Sequence, residues 1–208
     1  MKHQVIFITS PLEAEHVERI RATAGSQAEV IHDVDLMPPT RYVADHKGVP
    51  DFRRDAQQEA RWRAHLARAT ILFDFPPGPT DQGGGLALAP HVTWVQTTSS
   101  GVGQMVRDFG LVESDVLVTT ARGIHAGPLA EFAMKAGLLH AKRHAHLQAE
   151  QRAHSWVRYC GEGLPGKTLL VVGAGKVGSE TGRLARAFGM RVVAVVRRPS
   201  ADRLAELH

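Results

Sequence analysis

Six short apolar runs punctuate the chain: Val5 to Ile8, Ile71 to Phe73, Val92 to Gln96, Val116 to Val118, Leu169 to Val172 and Val192 to Val196. Consecutive apolar residues without strict alternation suit parallel strands covered on both faces. Helical patterns lie between them. Ser10-Pro11 fits an N-cap and first helical position for an amphipathic segment ending near Ala24. Phe52 to Ala69 carries alternating charges at apolar spacing and predicts a helix with one solvent face. Pro128 opens a long helix whose Leu129, Phe132, Ala133, Ala136 and Leu139 form a stripe read as packing surface. A further helix runs to about Phe188, with Val177, Leu184, Ala185 and Phe188 on one face and Gly189 placed to end it. Residues 37 to 50, rich in proline and polar groups, predict an exposed excursion, and Pro76 to Pro79 with Gly83 to Gly85 bracket a loop. The alternation of strand and helix predicts an α/β fold.

The most informative of these runs breaks into Gly173-Ala174-Gly175-Lys176-Val177-Gly178, a G-x-G-x-x-G pattern between strand and helix. Gly173 permits the tight turn, Gly175 lets backbone approach a pyrophosphate, and Gly178 lets the helix pack close to the sheet. The Lys176 and Val177 amides then fall at a helix N-terminus, where unpaired N–H groups and the helix dipole favour an anion. Val196 lies twenty-three residues after Gly173, close to where an NAD-binding unit carries an acidic residue for the ribose hydroxyls. Valine cannot accept a bond from a 2′-hydroxyl, whereas the guanidinium groups of Arg197 and Arg198 can bond a 2′-phosphate. The expected cofactor is therefore NADP(H) in preference to NAD(H). A second anion-ready turn follows the strand at Val92 to Gln96, in Thr97-Thr98-Ser99-Ser100-Gly101-Val102-Gly103, where backbone N–H groups precede a helix and a carboxylate would suit them. The competing reading is a capping turn whose hydroxyls satisfy their own helix terminus.

Composition narrows the partners. The net charge is +4, and between Lys176 and Arg198 six basic residues face a single acid, Glu180, so the excess surrounds the phosphate turn. Aromatic residues are 6% of the chain and do not interleave with the basic ones, which argues against a nucleic-acid platform. No stretch reaches the roughly 20 apolar residues of a membrane helix, and the start runs directly into a strand, so a cytoplasmic protein is expected. Cys160 is the only cysteine, which excludes an intramolecular disulfide and a cysteine-based metal cage. His140, His144 and His146 have helical spacing but no H-E-x-x-H pattern, and beside Lys142 and Arg143 they read as a solvated face; no metal is expected. His125 sits in the loop from Thr119 to Gly127, where it could donate to a substrate.

Three stretches together resemble the D-isomer-specific 2-hydroxyacid dehydrogenases, in particular their glyoxylate and hydroxypyruvate reductase branch: Trp94 to Val102, Thr119 to Phe132, and Leu164-Pro165-Gly166-Lys167-Thr168 leading through the glycine motif to Phe188-Gly189-Met190-Arg191-Val192. The resemblance implies a flavodoxin-like substrate domain, placed at residues 1–125, followed by an incomplete Rossmann domain with its linking helix at residues 126–208. It implies that backbone at Ser100 and Gly101 binds a substrate carboxylate, that the reaction interconverts a small 2-keto acid and a D-2-hydroxy acid, and that the protein pairs as a homodimer. Gly103 stands where an aspartate is common, and Val196 where the acidic selector of NAD is expected. The family's catalytic arginine, carboxylate and histidine lie beyond the second Rossmann strand, so no residue up to His208 is assigned those roles. Without later strands, Leu169 to Val172 would become an apolar edge. The chain is accordingly expected to be the N-terminal part of a longer enzyme, or a truncated product, and inactive alone; the alternative is a noncatalytic nucleotide-binding or sensing module, a truncated or degenerate homologue.

Overall fold

The computed structural model describes residues 3–77 and 84–198. The chain divides into two compact units, Met1–Arg122 and Gly123–His208. In the first, β1 (Gln4–Ile8), β2 (Ala28–Ile31), β3 (Ile71–Phe73), β4 (Trp94–Gln96) and β5 (Leu117–Thr119) form one parallel sheet in the order β2-β1-β3-β4-β5. This is the flavodoxin-like order, in which the direction of strand addition reverses between β1 and β3. The α/β class and parallel sheet are as expected. The strand missed by the apolar-run reading is β2, whose Glu29 is tolerated at the sheet edge, where it pairs with Arg68.

Register explains the core. Phe7, Leu72, Val95 and Val118 are partners across adjacent strands and therefore share one face. That row packs with Leu36, Trp62 and Leu66 into the main apolar cluster. Trp62 and Leu66 are four apart on α2 (Ala56–Arg68), which starts later than Phe52 because Asp55 and Gln58 form a reciprocal capping box. Edge-on contact between Phe7 and Trp62, with centroids 4.9 Å apart, joins sheet and helix.

Two local expectations for this unit need correction. Helix α1 (Ala14–Ala24) begins at Ala14, not at Pro11, and Ser10 does not cap it, because its hydroxyl is taken by Asp74. The excursion at 37–50 is largely exposed, as expected, and is pinned at one buried carboxylate: Asp45 is 3% exposed and accepts bonds from Arg41 Nε and Nη2 at 2.7 and 2.9 Å. The loop expected from Pro76 to Gly85 falls at 78–83 outside the described residues, and Gly84 and Gly85 open a short helix, α3 (Gly84–Ala87). A fourth helix, α4 (Gly103–Asp108), follows β4.

The second unit contains α5 (Ala126–Ala141), α6 (His144–Arg152), β6 (Thr168–Val172), α7 (Lys176–Ala187) and β7 (Arg191–Val195). Strands β6 and β7 are parallel, with Leu169 opposite Val192 and Val172 opposite Val195. One face is covered: Leu164, Leu169, Val192 and Met190 pack with Met134, Leu138 and Ala185 from the helices. The other is not, since Leu170 and Val172 are 58% and 81% exposed, so the two-sided burial expected for β6 is corrected to one-sided. The helical stripes also differ. On α5 the buried residues are Ala130, Met134 and Ala141, while Leu129, Phe132 and Leu139 are exposed. On α7 they are Ser179, Gly182 and Ala185 rather than Val177 and Phe188. Small residues on both helices let their axes approach, and the larger apolar side chains are left outside that contact. Among the described residues no helix is long and apolar enough to cross a membrane.

Candidate functional site

The glycine turn is built by the register of β6 and β7. The Gly173 amide donates to Val195 O at 2.9 Å, prolonging the ladder by one bond, and Gly173 then turns at φ +94°, in the left-handed region that favours glycine. Ala174 is buried and Gly175 is the N-cap of α7 with no side chain capping the helix. Lys176, Val177 and Gly178 therefore form the first turn of α7, at the positive end of the helix dipole. A β-carbon on Gly175 would meet nothing within 4 Å, whereas one on Gly178 would lie 2.9 Å from Val171 Cγ1 and closer still to Gly173 backbone. Gly175 is thus the open side of the turn and Gly178 the packed side.

Two further features bear on an anion there. Ser179 Oγ is buried without a hydrogen-bond partner among the described residues. Glu180, the acid of the basic run, is engaged by Arg183 Nε and Nη2 at 2.9 and 2.6 Å, which holds its carboxyl below the ordinary range. Because Val172 is opposite Val195, Arg197 and Arg198 follow at the same carboxyl end of the sheet as the glycine turn. Both are exposed and, among the described residues, have no ion-pair or hydrogen-bond partner. An open turn, an uncapped helix start and an orphaned buried hydroxyl fit a pyrophosphate-bearing nucleotide.

The other turn lies in the first unit. Thr97 Oγ1 donates to Ser99 O at 2.7 Å, and the Ala121 amide donates to the same carbonyl at 3.3 Å. Thr98 donates through both N and Oγ1 to the Asp74 carboxylate. These hydroxyls are committed to the turn and to Asp74; none caps α4, whose N-cap Val102 has no side-chain bond. Ser100 and Gly101 are exposed, and among the described residues neither amide has an acceptor. Gly103 is the first residue of α4, and a β-carbon there meets only the end of Arg107 at 3.9 Å, so the missing aspartate leaves no cavity. His125 is exposed at the N-cap of α5. Among the described residues no group of three His, Cys, Asp or Glu could hold a metal ion.

Sequence reasoning missed Asp74. Its one local signal is an acid set between Phe73 and Phe75 at the end of an apolar run, where burial forces it to find donors.

A glycine turn between parallel strands in one unit and a flavodoxin-like sheet in the other define a two-unit α/β protein with a dinucleotide-binding half. Residues 134–208 match the NAD binding domain of the D-isomer specific 2-hydroxyacid dehydrogenases. D-3-phosphoglycerate dehydrogenase 3, chloroplastic, from Arabidopsis thaliana is 46% identical over 65 residues, 30% of this chain and 11% of the relative. A D-isomer specific 2-hydroxyacid dehydrogenase family protein from Aeromonas salmonicida superposes with TM-score 0.68 at 24% identity, over 96% of this chain and 56% of that one. A glyoxylate reductase from Paecilomyes thermophila gives TM-score 0.65 at 16% identity, over 99% of this chain and 59% of that one. These two likenesses concern the fold, and the chain spans little more than half the length of either protein.

Proposed function

We propose that this chain carries the substrate-binding and cofactor-binding units of an NADP(H)-dependent oxidoreductase that interconverts a small 2-keto acid, such as glyoxylate or hydroxypyruvate, and the D-2-hydroxy acid. The first unit is read as the substrate domain and the second as the nucleotide domain. The observation that carries the reading is the alignment of Arg197 and Arg198 with the glycine turn at one end of β6 and β7. The Lys176 and Val177 amides would face the pyrophosphate, Gly175 would give it room, and the two guanidinium groups would take the 2′-phosphate. A bound nicotinamide supplies or accepts the hydride. The chain's own part is to bind and orient: the exposed Ser100 and Gly101 amides would receive the substrate carboxylate. No group among the 208 residues is assigned the proton transfer. A homodimer is included in the proposal, supported by Phe132 and Trp156, which are 67% and 100% exposed in the nucleotide unit.

Nicotinamide fluorescence titration tests the cofactor reading. NADPH is expected to bind at least about tenfold more tightly than NADH, the worth of one charge-assisted bond to the extra phosphate. Equal or weaker NADPH binding would overturn the preference, and absence of binding by either cofactor would overturn the site.

A further inference from the structure

The geometry points to Asp74 as a positioning residue: its buried carboxylate clamps the turn from Thr97 to Gly101 onto the ends of β1 and β3, holding the Ser100 and Gly101 amides ready for a substrate carboxylate. The inference rests on the proposed reading of that turn as the 2-keto acid site.

Asp74 directly follows β3, beside the β1–β3 boundary where the strand order reverses and open α/β sheets place their ligands. It is 9% exposed and holds φ +68°, a left-handed conformation that aspartate tolerates better than most residues. Its amide donates to Gln96 O at 2.7 Å and its carbonyl accepts from Thr9 Oγ1 at 2.8 Å, so the backbone is fixed between neighbouring strands. The side chain then gathers three donors. Oδ2 accepts from Ser10 Oγ at 2.8 Å and from Thr98 Oγ1 at 2.8 Å, while Oδ1 accepts from Thr98 N at 2.7 Å. Among the described residues no cation pairs with it. A buried carboxylate served only by neutral donors is costly unless all its bonds are made, so releasing Thr98 would be penalised. With Thr98 held from one side and the Ser99 carbonyl from the other, the next two residues are left with unused amides. Through space the same negative charge opposes an incoming anion, and this sets the sign of the test.

The experiment uses the 15N-labelled 208-residue chain, with oxalate as the two-carbon probe and the Ser100 and Gly101 amide resonances as readout. Asp74→Asn keeps the side-chain shape and the tolerance for positive φ but gives up one acceptor oxygen. Oxalate affinity is expected to fall roughly tenfold in the folded variant, as for loss of a charge-assisted hydrogen bond. Equal or tighter binding overturns the positioning role, because removal of the charge alone would favour the anion; a lower melting temperature with unchanged affinity overturns it as well. Should Asp74→Asn not fold, Thr98→Val carries the test: it removes one of the three donors while keeping the amide, with a roughly threefold loss expected. If the wild-type amides do not respond to oxalate, the substrate reading falls and the inference with it. If wild type and both variants respond alike, the role of Asp74 alone falls.

Discussion

A β-carbon added to Gly178 would lie 2.1 Å from the carbonyl oxygen of Gly173, five residues earlier in the same turn. No rotamer change relieves such a contact, since the obstacle is backbone. Gly178→Ala must therefore push α7 away from β6, and overpacking of this kind costs about 1–3 kcal/mol. The variant is expected to melt at lower temperature and to lose NADPH binding, measured by circular dichroism and fluorescence titration. Wild-type affinity in Gly178→Ala would show that the helix can retreat without disturbing the turn.

Arg197 and Arg198 are exposed, so replacing either should leave stability within about 0.5 kcal/mol. Their effect should appear in cofactor choice. Arg197→Asp is expected to weaken NADPH and strengthen NADH, because a carboxylate repels the 2′-phosphate and accepts from the ribose hydroxyls. The ratio of the two dissociation constants reports this directly, and an unchanged ratio would move phosphate recognition away from Arg197.

The strands of both units were legible from apolar runs because parallel strands advertise burial without needing to specify their neighbours. Strand β2 was not, since an edge position lets Glu29 replace an apolar residue. The start of α2 is locally encoded in Asp55 and Gln58, whereas the fate of Ser10 depends on Asp74, 64 residues away, and no local pattern reveals it. Helical periodicity on α5 admits two stripes. Packing selects the one with Ala130, Met134 and Ala141 because small side chains bring α7 close, a preference that hydrophobicity alone does not rank. The glycine turn was legible because its conformation is dictated by the residues themselves; the clamp on Ser100 and Gly101 was not, because it comes from β3.

The Arg41–Asp45 pair gives the excursion at 37–50 an acid-sensitive anchor. The guanidinium bonds hold the Asp45 carboxyl well below the ordinary carboxylate range, and the Ala44 amide lowers Glu13 in the same way through a 2.7 Å bond. A carboxyl that titrates lower when folded contributes stability that is complete above its unfolded value, about 3.9 for aspartate, and is lost as pH falls through the folded value. Amide exchange within residues 41–48 should therefore accelerate as pH drops from about 5 toward 3, after correction for the intrinsic rate. Asp45→Asn should exchange quickly at both pH values and flatten the profile. A wild-type profile that is itself flat would remove the pair as an anchor.

The exposed stripe of α5 bears on assembly. Phe132 is 67% exposed, with Lys135 Nζ 5.9 Å from its ring centroid, and Trp156 is wholly exposed in the segment after α6. Large aromatic residues are the side chains that most often dominate interface energetics. If these residues lie at the centre of a self-association surface, Phe132→Glu and Trp156→Glu should each weaken the dimer by at least about tenfold, the cost of burying a charge where an aromatic anchor sat. Val43→Glu, at an equally exposed apolar position in the first unit, should leave association unchanged. Sedimentation velocity over a concentration series separates the outcomes. Dimers that ignore both aromatic substitutions but dissociate on Leu170→Glu would place the interface on the open face of β6 and β7, where Leu170 and Val172 are uncovered. A wild-type chain that stays monomeric throughout the series would remove the homodimer from the proposal.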